Sequence, residues 1–269
     1  MKKINLVLSG GGARGLAHIG VIKVLKEKGY EISSISGTSM GALVGGLEAY
    51  GKLEAYERWI TGKSLLDIIK LLGIDIKLKN QNGFMNLEYL YQKMKEEFGD
   101  INIEDMPIKF TAVATNLTKN KEIWFQNGPF YDALKASTAI PGYFEPFISK
   151  NGDIIVDGGV LNILPVAPTL SNEADLTIAV DVNSNIYSKY KVNYKHSFLE
   201  NMWRGFFAQK DDIKSLSINL MMKYIYNLRV YEYKPDILIQ IPSTLANTFD
   251  FHKHKEIIEI GQKIAQKVL

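Results

Sequence analysis

The chain has no cysteine, so a disulfide, a thiolate nucleophile and cysteine-bound zinc are all excluded. It also lacks any run of about 18 apolar residues, the length a membrane-spanning helix needs. The apolar stretch at the N-terminus breaks at Asn5 and is too short for a signal peptide. A strong charge of one sign is missing too: 32 Lys and Arg face 29 Asp and Glu, a net charge of +3. A nucleic-acid binder is expected to carry a clustered basic stripe, so no nucleic-acid partner is expected. The small positive excess fits transient contact with an anionic membrane surface. Together these features lead us to expect a cytoplasmic protein, peripheral to membranes at most. No metal and no cofactor are expected.

What remains is an ordinary globular composition, with 46% hydrophobic and 23% charged residues over 269 positions. Neither an internal repeat nor a low-complexity tract divides it, and a single domain over residues 1–269 is the expectation. Residues 3–8 read as a buried strand, and apolar positions from Leu16 to Leu25 have helical spacing that Gly29 stops. Ile32–Ser36 reads as a second strand and Ala42–Tyr50 as a second helix. This β-α-β-α opening predicts an α/β fold, a mostly parallel central sheet flanked by helices in three layers. Residues 52–106 read as mostly helical, with Leu87, Leu90, Tyr91 and Met94 on one face after Asn86. Strands are expected at 108–115, 121–126, 153–156, 176–182 and 237–241, and a helix at 252–268. Between 184 and 232 no clean period holds, and an irregular, aromatic-rich insertion is expected there.

Three motifs carry chemistry. Gly10-Gly11-Gly12-Ala13-Arg14-Gly15 follows the first strand and opens a helix. Glycines let a backbone approach a ligand closely, and N–H groups at a helix start favour a negative oxygen. A dinucleotide site needs an acidic residue about 20 positions on, where this chain has Ile35, Ser36 and Gly37. A phosphate loop needs Lys and Ser or Thr after the last glycine, where Leu16 and Ala17 stand. An anion-cradling loop is left.

The second motif, Gly37-Thr38-Ser39-Met40-Gly41, lies between a strand and a helix, the setting of a nucleophile elbow. Ser39 is then aimed at the start of a helix, whose dipole favours developing negative charge. The third is Asp157-Gly158-Gly159, at the end of a short strand. On its own it is a common turn; at a strand end beside the other two motifs it places a carboxylate where open α/β sheets bind ligands. The usual base for such a serine is histidine. Of the four, His18 falls in the first helix, His252 and His254 open the last, and His196 lies in the aromatic stretch. None follows a strand end, and a histidine base stays as the competing assignment.

In this order the three motifs resemble the patatin-like phospholipase family, from Lys3 to Val182. Ala136-Ser137-Thr138-Ala139-Ile140-Pro141 and Phe144-Glu145-Pro146 look like a further family segment. The resemblance implies a Ser-Asp dyad without catalytic histidine, with Ser39 as nucleophile and Asp157 as proton acceptor. It also implies an oxyanion hole built by the loop Gly10, Gly11, Gly12, Ala13, Arg14 and Gly15, and a lipid or other ester as substrate. Head group, chain length and oligomeric state are not implied. A transacylase and a catalytically silent, membrane-associated regulator of the same fold are the alternatives. Phe198, Met202, Trp203, Phe206 and Phe207, among Lys195, Arg204 and Lys210, are expected to border the acyl site or meet the membrane.

Overall fold

The structure, a computed structural model, describes residues 1–73, 85–186, 190–193 and 213–269. Strands β1 (Lys3–Leu8), β2 (Glu31–Thr38), β3 (Lys109–Asn116), β7 (Leu176–Ser184) and β8 (Ile237–Pro242) pair in parallel in the order β3-β2-β1-β7-β8. Strands β4 (Lys121–Phe125), β5 (Phe147–Ile148) and β6 (Ile154–Asp157) complete the sheet in antiparallel fashion beside β3.

Alternation along the central strands assigns the two faces. In β1, Ile4, Leu6 and Leu8 point into the larger core, while Val7 joins Ala179, Leu164 and Val166 on the other face. Helices α1 (Ala17–Glu27) and α2 (Met40–Ala49) contribute to the larger core, as do α3 (Leu53–Thr61), α4 (Leu65–Leu71) and α5 (Glu88–Phe98). Helix α6 (Phe130–Thr138) packs on β3 and β6. Helix α7 (Ile213–Glu232) lies on the second face, through Tyr226 and Val230. The last helix, α8 (His254–Val268), packs along α1. Helices thus cover both faces of a mostly parallel sheet, as the motif order implies.

Two features depart from the sequence reading. Residues 213–232 form a 20-residue helix, not irregular chain. Its apolar residues fall on opposite sides: Tyr226 and Val230 face the sheet, whereas Leu216, Leu220, Met221 and Tyr224 are exposed. No single stripe exists for a helical period to reveal. The aromatic residues between 198 and 207, and His196, lie outside the described residues. Second, β6 is antiparallel to β3, so Asp157 is not at the end of a parallel strand.

Helices α1 and α8 approach closely enough that only glycine fits at the crossing. A Cβ at Gly20 would lie 2.1 Å from the Ile258 carbonyl oxygen, and one at Gly261 would lie 2.2 Å from that of Ala17. Backbone atoms cannot yield as a flexible side chain does. Gly20→Val is expected to destabilise the fold by about 2–3 kcal/mol, read as a fall in Tm of about 5 °C or more.

Candidate functional site

The site is made by two strands that run head-on. Residues Thr111–Val113 of β3 pair with β2, and Ala114–Asn116 pair with β6. Strand β4 pairs with both stretches and fills the opposite edge. A strand has two edges, so β2 and β6 share one. Because β2 is parallel to β3 and β6 antiparallel, their C-terminal ends meet, Thr38 opposite Val113 and Asp157 opposite Ala114. Ser39 and Asp157 are the residues at that junction.

Ser137, in α6, seals the junction. Its hydroxyl donates to the Val113 carbonyl at 2.7 Å and accepts the Ser39 N–H at 2.9 Å. Sequence reading placed Ser137 in a family-like segment but gave it no role. The only available signal was a small hydroxyl residue just before the helix-ending Pro141.

Ser39 is the N-cap of α2 with φ 55° and ψ −123°, a conformation that bulky residues rarely hold. Gly37 and Gly41 permit this turn: a Cβ at Gly41 would lie 2.2 Å from the Leu8 carbonyl oxygen. Thr38 donates to the Asn162 carbonyl at 2.7 Å and so ties the elbow to the segment after Gly159. Met40 is buried against Gly15, where a side chain would meet it.

Asp157 is buried, and Gly159 N–H donates to its Oδ1 at 2.7 Å. Removal from water raises its pKa to about 6, while hydrogen bonds from the Ser39 side chain and the Gly159 N–H act in the opposite direction. Gly158 presses on β3, since a Cβ there would fall 2.3 Å from the Val113 carbonyl oxygen.

The six residues of the first motif have different tasks. The Gly10 N–H bonds the Ile163 carbonyl and the Ala13 N–H bonds that of Thr248. Among the described residues, no acceptor is recorded for the N–H of Gly11 or Gly12. The open donors are thus these two, and not the whole loop. Arg14 turns away: Nε donates to the Val182 carbonyl, Nη1 to that of Ala246 and Nη2 to Asn183 Oδ1. Burial pulls its pKa down and the charges of Asp181 and Asp250 push it up.

The described histidines are engaged elsewhere. His18 is buried, its Nε2 lies 2.9 Å from the Ser9 carbonyl, and burial lowers its pKa to about 4. His254 holds the start of α8, with Nε2 on the Lys63 carbonyl and Nδ1 accepting the Lys255 N–H. His252 lies in the short turn leading into α8. Among the described residues, no group of three His, Asp or Glu side chains is arranged to hold a metal ion.

A cavity of about 670 Å³, its open mouth included, begins at Ser39 and Gly12. Its walls are apolar: Leu43 of α2, Tyr56 and Trp59 of α3, Leu72 after α4, and Tyr91 and Met94 of α5. Sequence reading expected residues 184–232 to border the acyl site or meet the membrane, and its aromatic cluster lies outside the described residues; the described wall comes from the helices between 53 and 98 together with Ile140, Phe144 and Phe249. The apolar face of Leu87, Leu90, Tyr91 and Met94 was legible, but not the gap it helps to enclose.

The family model for patatin-like phospholipase matches residues 6–170. The chain belongs to that family. It is 43% identical over 183 residues to an NTE family protein of Mycobacterium bovis, covering 68% of this chain and 50% of the relative. It is 29% identical to lysophospholipase NTE1 of Yarrowia lipolytica, over 99% of this chain and 19% of the relative. The chain therefore spans half the length of the first relative and about a fifth of the second. In structure it resembles VipD of Legionella pneumophila, with a TM-score of 0.51 at 15% identity, over 99% of this chain and 67% of that one. That likeness is one of fold. Strands β7 and β8 lie beyond the matched 6–170 but belong to the same sheet.

Gly12 has φ 55°, and a Cβ there would lie 2.3 Å from the Thr248 carbonyl oxygen. Gly12→Ala is expected to displace the loop and lower Tm and, on the hydrolase reading proposed below, ester turnover as well, measured side by side on the purified protein. Unchanged turnover would place the open donors outside the reaction.

Proposed function

We propose that this patatin-like phospholipase is a lipid acyl hydrolase that cleaves carboxylic esters through an acyl-serine intermediate. The observation that carries the reading is the junction of β2 and β6, where Ser39 and Asp157 share one edge of β3 and Ser39 lines an apolar cavity. Asp157 takes the hydroxyl proton as Ser39 Oγ bonds the ester carbon. The carbonyl electron pair moves onto oxygen, which the N–H groups of Gly11 and Gly12 receive. Collapse expels the alcohol, protonated by Asp157. Water then attacks the acyl-serine, losing its proton to Asp157, and Ser39 leaves with that proton.

A carboxylate with a pKa near 6 is a far better acceptor at neutral pH than an ordinary aspartate near 3.9. Loop donors aimed at a developing oxyanion are typically worth about 100- to 1000-fold each in turnover. The apolar cavity suits an acyl chain. The yeast relative's name, lysophospholipase, favours a lipid with a single chain to bury. Helix α7 supports contact with a lipid surface. Tyr226 bonds Asp181 and, with Val230, packs on the second face of the sheet, while Leu216, Leu220 and Met221 stand exposed as an apolar group that a lipid surface could cover. No helix among the described residues is long and apolar enough to cross a membrane.

Ser39→Ala is expected to fold normally, and to lose ester hydrolysis and covalent labelling by a fluorophosphonate. Wild-type rates in that variant would end the proposal. Asp157→Asn should lose nearly all turnover, while His18→Asn, His196→Asn, His252→Asn and His254→Asn each keep most of theirs. The ionised form of Asp157 is the competent one, so the wild-type rate falls as pH drops through about 6. Because the native pKa exceeds the unfolded value, the ionised group destabilises the fold above about pH 6, by about 3 kcal/mol, and acidification towards pH 4 relieves this. Asp157→Asn should accordingly be at least as stable as wild type at pH 7. For the lipid surface, Leu216→Glu combined with Leu220→Glu should reduce sedimentation with phosphatidylserine-containing vesicles. Hydrolysis of a short soluble ester should be unchanged.

A further inference from the structure

Asn183 belongs to none of the three motifs and lies at the end of β7, far along the chain from the glycine loop. We propose that Asn183 is a positioning residue for ester cleavage: its amide turns the Gly10–Gly11 peptide so that the Gly11 N–H faces the reacting oxygen. The inference rests on the hydrolase reading above.

The contacts leave the amide one orientation. Asn183 Nδ2 donates to the Gly10 carbonyl at 2.7 Å, and Oδ1 accepts from Arg14 Nη2 at 2.9 Å. A flipped amide would set its NH₂ against the guanidinium and its oxygen against the Gly10 carbonyl, two repulsions in place of two bonds. Arg14 cannot turn to relieve them, because the Val182 and Ala246 carbonyls hold its other nitrogens at 3.0 Å. The Asn183 backbone is fastened too, its N–H donating to Asp181 Oδ1 at 2.9 Å, while Asp181 Oδ2 accepts from Tyr226 at 2.8 Å.

The consequence for the loop follows from peptide geometry. In a trans peptide the C=O and N–H point to opposite sides. A Gly10 carbonyl held on the Asn183 side therefore sends the Gly11 N–H the other way. Gly10 lies beside the nucleophile, since a Cβ on it would lie 3.2 Å from Ser39 Cβ. No acceptor is recorded for that N–H among the described residues. Without Asn183, glycines on both sides of this peptide would let it rotate.

Two variants separate this role from mere support of Arg14. Asn183→Asp keeps an acceptor for Arg14 but has no donor for the Gly10 carbonyl; Asn183→Ala has neither. Both are expected to lose about 10- to 100-fold in kcat on a soluble ester, with KM within about threefold of wild type. Rates are compared on the pH plateau, so that a moved Asp157 pKa is not mistaken for a lost donor. Inhibition by a trifluoromethyl ketone, which forms an oxyanion on Ser39, should weaken in proportion to kcat. A non-hydrolysable ether analogue should bind as before. A wild-type kcat in Asn183→Asp overturns the proposal, as does a collapse of Tm in both variants, which would make the residue purely structural. If Ser39→Ala is inactive while the Asn183 variants are fully active, this inference alone fails. If Ser39→Ala is active, the hydrolase reading fails with it.

Discussion

The site depends on a single edge of β3 being shared by two strands of opposite direction. A parallel strand alone would deliver Ser39 to the sheet's C-terminal edge with nothing facing it. Strand β6 supplies the partner by arriving from the other side, so that Asp157 stops where β2 stops. The gap between the two strand ends would leave the Val113 carbonyl and the Ser39 N–H unbonded in the interior, which typically costs about 1–3 kcal/mol for each orphaned group. Ser137 fills the gap with one hydroxyl used as donor and acceptor, and its geometry registers α6 against the junction. The same contact that closes the sheet thus fixes the backbone of the strained serine.

From that constraint the chemistry follows by exclusion of water. The junction is sealed by Gly158 on β3 and by Thr38 on Asn162, and among the described residues the Asp157 carboxylate has the Gly159 N–H and the Ser39 side chain as its hydrogen-bond partners. Desolvation, and no neighbouring charge, is the main reason its pKa rises. On the proposed reading, Asp157 then needs no histidine to serve as a base close to neutrality. His18, the buried histidine nearest in sequence to the loop, is driven the other way, to about 4, and is occupied by the Ser9 carbonyl.

What the sequence made legible was local. Glycine clusters at Gly10–Gly15, Gly37–Gly41 and Gly158–Gly159 mark places where backbone must approach backbone, and each does so within a few ångströms. Strand direction was not legible, because β6 has the same apolar run whichever way it pairs. Nor was α7, whose apolar residues serve the sheet on one side and are exposed on the other. The cavity was hidden for a different reason. Leu87, Leu90, Tyr91 and Met94 read correctly as one apolar face of a helix, but a buried face and a cavity wall have the same pattern. Ser137 and Asn183 were missed because their partners are about 100 residues or more away, at Ser39 and Gly10.

The site's features are individually unfavourable to folding: a serine at positive φ, an ionised carboxylate in the interior and a guanidinium withdrawn from water. They persist because rigid neighbours leave no alternative. Arg14 shows how. Its burial is offset by two carbonyls, the Asn183 amide and the field of Asp181 and Asp250, so that its charge is satisfied without reaching the reacting centre. The residues that hold it come from β7 and from the segment before α8, and α8 is locked to α1 through Gly20 and Gly261. Helix α1 begins one residue after the glycine loop. The loop whose Gly11 and Gly12 N–H groups find no acceptor among the described residues is therefore clamped at its end by the close α1–α8 contact and along its length by Arg14 and Asn183. Such a loop can keep two donors unbonded, since any collapse that satisfied them internally would have to break that clamp.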